Sequence, residues 1–202
     1  MKIIIDGENF RHQIASILVD AKLLDASERN NYFCFDIIGF FKDILDDSNI
    51  EITYYTTKIK QPNFKIPKKL SDKLDVIASE NRKWIAHISN QGIKIIKAGH
   101  LRIRESNSCI HCSKKTLVLQ EKGVDVRVAT DLLLYSANNQ SVGLVSSDSD
   151  IVPALQAATR FSNTVTYICP SNNLNRSLAS LADQVITFDK KRVMAYFKKD
   201  TK

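Results

Sequence analysis

The sequence predicts an α/β fold with a mainly parallel central sheet flanked by helices, and three observations carry that prediction. Short apolar, β-branched runs alternate with stretches of helical periodicity along the whole chain, the pattern of βαβ units. The strand-like runs are bounded by Asp, Ser, Gly or Asn, as buried strands are. Finally, 202 residues with 44% hydrophobic and 25% charged content, 6 Gly and 4 Pro exclude disorder, collagen-like repeats and low-complexity tracts. A single domain of this length buries roughly 70% of its unfolded surface.

Lys2 to Ile5 is the first strand and ends in Asp6-Gly7. Phe10, Ile14, Ile17, Leu18, Ala21 and Leu24 then recur at helical spacing, as do Phe33, Ile37, Phe40, Phe41, Ile44 and Leu45. Glu51 to Thr57 has strand composition, and Pro67 opens a helix whose period runs through Leu70, Leu74, Ile77, Trp84 and Ile88 to about Asn90. Gly92 to Ala98 is a third strand, followed by a basic, irregular segment at about 99–121. Gly123 to Ala137 reads as a helix, Val142 to Ser146 as a strand, and Asp150 to Phe161 as a helix with Pro153 in its first turn. A strand at Thr164 to Cys169, a short helix at Leu174 to Ala182 and a strand at Val185 to Phe188 close the domain at about residue 190. Residues 191–202 read as a short basic tail.

The net charge of +7 is unevenly placed. Ile52 to Gln120 holds 14 Lys/Arg and 4 acids, a net of +10, and the rest of the chain carries −3. A basic middle is the footprint of an anionic partner. No apolar run approaches the roughly 18 residues of a membrane-spanning helix, and Met1-Lys2 leads into a strand and not into a signal segment. The expectation is a cytoplasmic protein without membrane contact, its four Cys reduced.

In a doubly wound sheet, ligands bind outside the carboxyl ends of the strands, near the point where strand order reverses. The residues to read are therefore those that follow each strand. The first strand ends in Asp6-Gly7-Glu8-Asn9 and the Val142 strand in Ser147-Asp148-Ser149-Asp150. If these strands are neighbours, their acids converge, and Asp125 joins them from the first turn of a helix. Like charges so close cannot all stay ionised without a cation. Hard oxygen ligands in small number are the Mg²⁺ or Mn²⁺ pattern, and such an ion serves phosphodiester hydrolysis. Ser147, Asp148 and Asp150 are equally the residues expected to cap the helix that follows. Asp131 lies about 240° around the helix from Asp125 at roughly 100° per residue, so it is either a supporting group or a solvated one.

Three segments carry a family likeness: Ile-Ile-Ile-Asp6-Gly-Glu-Asn9, Lys122-Gly-Val-Asp125-Val-Arg-Val-Ala-Thr-Asp131-Leu-Leu, and Leu-Val-Ser-Ser-Asp148-Ser-Asp150-Ile-Val-Pro153. In order and spacing they resemble the signature segments of the NYN domain, the LabA-like branch of the PIN-like nuclease superfamily. The segment Leu174 to Phe188 resembles the end of that domain, so the likeness spans nearly the whole chain. It implies a three-layer PIN-like fold, divalent-metal binding by one or two ions, and endoribonuclease-like activity. Carried over by position, Asp6, Asp125 and Asp148 are the metal-facing acids, Asp150 an additional one, and Asn9 a polar group that orients the site. Ser147 stands where the family often has Gly, and Ile151 where it often has an aromatic; neither change removes a carboxylate.

An acidic metal edge needs positive charge beside it to hold a nucleic-acid backbone. Lys58, Lys60, Lys65, Lys68 and Lys69 fall in an acid-free stretch, and Arg102, Arg104, Lys114 and Lys115 extend it. Tyr54, Tyr55, Phe64 and Trp84 are interleaved, and an exposed ring among them would stack on a base. The helical period places Trp84 in the core. Cys109-Ile-His111-Cys112 has Cys-x-x-Cys spacing, which suits a structural zinc or a pair of incidental reduced thiols. A tetrahedral site needs further ligands from His100, Cys34, Cys169 or a second copy of the chain in a homodimer.

Two functions compete: a Mg²⁺/Mn²⁺-dependent ribonuclease acting on RNA, and a non-catalytic RNA-binding or regulatory protein that keeps the fold. The retained acids favour the first. A haloacid-dehalogenase-type phosphatase needs Asp at the position of Glu8, and fits less well.

Overall fold

The computed structural model describes the chain apart from residues 29–31, 60, 61, 63, 109–111, 162 and 199–202. Lys60, Cys109 and His111 lie outside the described residues.

The first strand, β1 (Lys2–Asp6), is Ile-rich because it is covered on both faces. Ile3 and Ile5 enter one apolar cluster with Phe10, Ile14, Phe41, Trp84 and Ile88. Ile4 points the other way, toward Val128, Leu132, Leu144 and Leu155. This alternation, set by the two-residue period of a strand, makes three layers. One helical layer is α1 (Gly7–Asp20), α2 (Ile37–Leu45) and α3 (Lys68–Asn90). The opposite layer is α4 (Val124–Ala137), α5 (Val152–Ala158) and α6 (Arg176–Ala179).

Between them, among the described residues, lies one seven-stranded sheet of order β4-β3-β2-β1-β5-β6-β7. Its other members are β2 (Glu51–Lys58), β3 (Lys94–Glu105), β4 (Leu117–Lys122), β5 (Val142–Val145), β6 (Val165–Pro170) and β7 (Gln184–Phe188). All neighbours are parallel except β3 and β4. From β1 the chain builds outward through β2 and β3, then returns to add β5, β6 and β7 on the other side. The direction of winding therefore reverses between β1 and β5, which is where this class of sheet opens a crevice.

Two segments differ from their sequence reading. The ends of the stretch at 99–121 are regular: β3 continues to Glu105 and pairs with β4 from Leu117 in an antiparallel hairpin. Leu101-Arg102-Ile103-Arg104 has strand alternation, whose polar half is basic because it faces solvent. Residues 191–195 belong to a helix. This helix, α7 (Lys190–Ala195), packs on α1 with Val193 fully buried, and Phe197 bridges to Phe35.

Candidate active site

Parallel register places the site. Ile5 is the partner of Val145, so the next residues, Asp6 and Ser146, emerge together at the carboxyl edge. Asp6 caps α1 by accepting from the Asn9 backbone N–H at 3.4 Å. Gly7 must follow it, because a Cβ there would lie 2.3 Å from the Tyr55 carbonyl oxygen and 2.4 Å from the Tyr54 ring. Asp148 caps the 3-10 turn Ser149–Ile151, its Oδ1 accepting from Asp150 N at 2.9 Å. Capping and facing the crevice are thus not alternatives for these acids; both are held at helical N-termini, where negative charge is favoured.

Ser146, 1% exposed, ties the two strand ends. Its hydroxyl donates to Asp6 Oδ2 at 3.0 Å and accepts from Asp148 N at 3.1 Å. Asn9 Oδ1 accepts from Ser147 N at 3.2 Å and from Gln13 Nε2 at 2.6 Å, and the same Gln13 amide donates to Ser147 Oγ at 2.5 Å. Asn175 adds a bond to the Ser147 carbonyl oxygen at 3.0 Å. The Gln13 Oε1 is buried with no hydrogen-bond partner. Ser146, Gln13 and Asn175 were not singled out from sequence, since one polar residue in an apolar period says nothing of what it meets across the fold.

Burial pushes Asp6 up to about 6 despite the donors on it, and the charges of Asp125 and Asp148 add to the rise. Burial also raises Asp125, with help from Asp148 and Asp150. Asp6 thus feels Asp125 and Asp148, and Asp125 feels Asp148 and Asp150, so these acids stand close enough to repel. Asp150 is exposed. Glu121 is a further acid that the sequence reading passed over. Pushed up to about 7, mainly by burial, it feels Glu8, Asp6 and Asp125, while the nearby Thr57 hydroxyl opposes the rise. Only the β3–β4 pairing brings it here.

Asp131 goes elsewhere. Only 4% exposed, it accepts from Tyr55 Oη at 2.7 Å and from Arg127 Nε at 2.9 Å, which anchors α4 to β2. It is a buried hydrogen-bonded group and not a solvated one.

Among the described residues, no group of three or more His, Cys, Asp or Glu side chains is arranged to hold a metal ion. The donor chemistry nevertheless suits a hard cation: mutually repelling carboxylates plus the orphaned Gln13 oxygen. Cys112 is exposed as a free thiol, with Cys169 buried and Cys34 half-buried.

The basic residues flank this edge. Lys58, Lys65, Lys68, Lys69, Arg102, Arg104, Lys114 and Lys115 are all exposed. β3 pairs with β2 only as far as His100 opposite Lys58, so Leu101–Glu105 run on with β4 alone. At about 3.3 Å per residue, this arm reaches roughly 16 Å past β2. It leaves from the same edge as Asp6, because β1, β2 and β3 are parallel. Of the aromatic candidates, Tyr54, Tyr55 and Trp84 are in the core, the indole N–H of Trp84 donating to Tyr54 Oη at 2.8 Å; Phe64 is exposed.

A doubly wound, three-layer arrangement with acids near its switch point is consistent with a PIN-like fold. The NYN domain family model matches residues 2–189, and the chain belongs to that family. Among solved structures, a protein of unknown function from Vibrio parahaemolyticus is similar in fold, with a TM-score of 0.52, 15% identity and 93% of each chain covered. No curated protein matches. No helix among the described residues is long and apolar enough to cross a membrane.

Proposed function

We propose that this chain is a LabA-like NYN endoribonuclease that hydrolyses RNA phosphodiester bonds with Mg²⁺ or Mn²⁺. What supports the reading is the Ser146 hydroxyl, which bonds Asp6 at the end of β1 and the Asp148 backbone just past β5, with Asp125 of α4 close enough for its charge to raise Asp6. Asp6, Asp125 and Asp148 hold the ion, and Asp150 adds an oxygen from an exposed position. Such an ion, when bound, stabilises charge on the scissile phosphate and lowers the pKa of a water. Ser146 fixes the Asp6 carboxylate relative to Asp148, and Gln13 fixes Asn9 against Ser147. The exposed cations of β2, α3 and the hairpin hold the RNA backbone on either side of the crevice.

The test compares wild type with Asp148→Asn on labelled single-stranded and structured RNA and DNA, with Mn²⁺, Mg²⁺ or chelator. Metal-stimulated RNA cleavage is expected to fall to background in the variant while RNA binding is kept or strengthened. Equal cleavage by the two proteins refutes the reading.

A further inference from the structure

Beside the carboxylates lies a cavity of about 550 Å³ between α1, α3 and the hairpin. The alternation of the hairpin assigns its two faces. Arg102 and Arg104 oppose Gln120 and Val118 on one, while Leu101 and Ile103 oppose Glu121 and Leu119 on the other. Leu101, Leu119 and Ile77 give the cavity apolar walls; Glu8, Glu80 and Glu121 line it as well, with Arg11, His12 and Lys73 among them. Glu121 feels the charges of Asp6 and Asp125, so the cavity and the crevice are electrostatic neighbours. Thr57 also lines it, only 6% exposed and with its hydroxyl beside Glu121.

A second hollow of about 370 Å³ shares Thr57, Ile59 and Asn81 with the first and is lined by Lys58, Arg82 and Lys97. Apolar walls ending in acceptors, continuous with a cationic hollow, alternate as a nucleotide chain does: base, then phosphate. Glu8, Glu80 and Glu121 outnumber Arg11 and Lys73 in the larger cavity, while the cations dominate the smaller hollow, so the larger one suits N–H donors and the smaller one a phosphate. A base stacked and paired in a duplex cannot enter.

We propose that the larger cavity is a subsite for one unpaired nucleobase that carries an exocyclic amino group, and that the Lys58–Arg82–Lys97 hollow takes the adjoining backbone phosphate. The inference rests on RNA as the substrate proposed above. It makes the protein selective for single-stranded or bulged RNA. Glu121 accepts from the base amino group, Leu101 and Leu119 pack on its faces, and uracil, lacking that amino group, is the poorest occupant.

Fluorescence anisotropy of short labelled oligo(A), oligo(C), oligo(U) and a duplex of equal length, in chelator, tests this without any cleavage step. A protein that binds RNA but fails to cut it therefore still passes or fails on its own terms. Expected is binding of oligo(A) and oligo(C) about tenfold tighter than oligo(U) or duplex, the scale of one stacked and hydrogen-bonded base. Glu121→Gln should reduce the preference over oligo(U). Leu119→Trp, which fills the cavity, should weaken single-strand binding about tenfold. Ile77→Trp fills it from the opposite wall and serves where the first variant melts early by circular dichroism. Equal binding of duplex and single strands, or single-strand binding unchanged in a folded Trp variant, overturns the proposal.

Discussion

Replacing Asp6 with Asn should make the metal-free protein more stable at neutral pH. The carboxyl of Asp6 titrates near 3.8 when exposed and is raised to about 6 in the fold, mainly because it is buried. Between those values the native state binds the proton more tightly than the unfolded chain, so stability falls as pH rises through that window and stays low above it. The rise converts, at roughly 1.4 kcal/mol per pH unit, to a native-state penalty of about 3 kcal/mol at neutral pH. Asn removes the charge and keeps an oxygen for the Ser146 hydroxyl and the Asn9 N–H. Its own amide N–H₂ must find an acceptor, which reduces the net gain to about 1–2 kcal/mol. In a chain of this length that is a melting temperature higher by roughly 2–8 °C. Thermal melts in chelator at about pH 7.5 and about pH 4 provide the assay, and the advantage should shrink at the lower pH, where the wild-type carboxyl is protonated in the native state. A variant no more stable than wild type at neutral pH, or equally shifted at both, refutes the reasoning.

Two other outcomes follow from the same geometry. Millimolar-range Mn²⁺ should raise the melting temperature of wild type by several degrees and that of Asp125→Asn much less, since ligand binding to the native state alone stabilises it; scanning fluorimetry decides, and equal shifts speak against a shared site. Tyr55→Phe removes one of the two donors on buried Asp131 and should cost about 1–2 kcal/mol in urea unfolding, with RNA binding unchanged.

The legible part of the site was the part written at strand ends. Asp6, Asp148 and Asp150 follow apolar runs, and Asp125 opens a periodic helix, so their types and spacings announce an acidic edge before any packing is known. Glu121 was illegible for a different reason. It is the fifth residue of β4 and acquires its meaning from Leu101, twenty positions earlier, across a hairpin that the basic composition of 99–121 obscured. Tyr54 and Tyr55 look like stacking candidates in a basic segment, yet both are core residues, because β2 is an interior strand covered on two faces.

By itself, the sequence determined the alternation of strands and helices, the two acidic strand ends, the family to which the chain belongs and the separation of acidic ends from a basic middle. Those properties are local: they depend on side-chain period, on turn residues and on charge counted along the chain. Only the tertiary structure decided that β1 lies beside β5, that Ser146 and Gln13 bind the strand ends together, that Asp131 supports α4 away from the crevice, and that the hairpin walls a cavity beside the acids. Strand order and cross-fold hydrogen bonds join residues more than a hundred positions apart, as with Asp6 and Ser146. Such pairings are chosen by which faces can be buried together, and no local pattern encodes that choice.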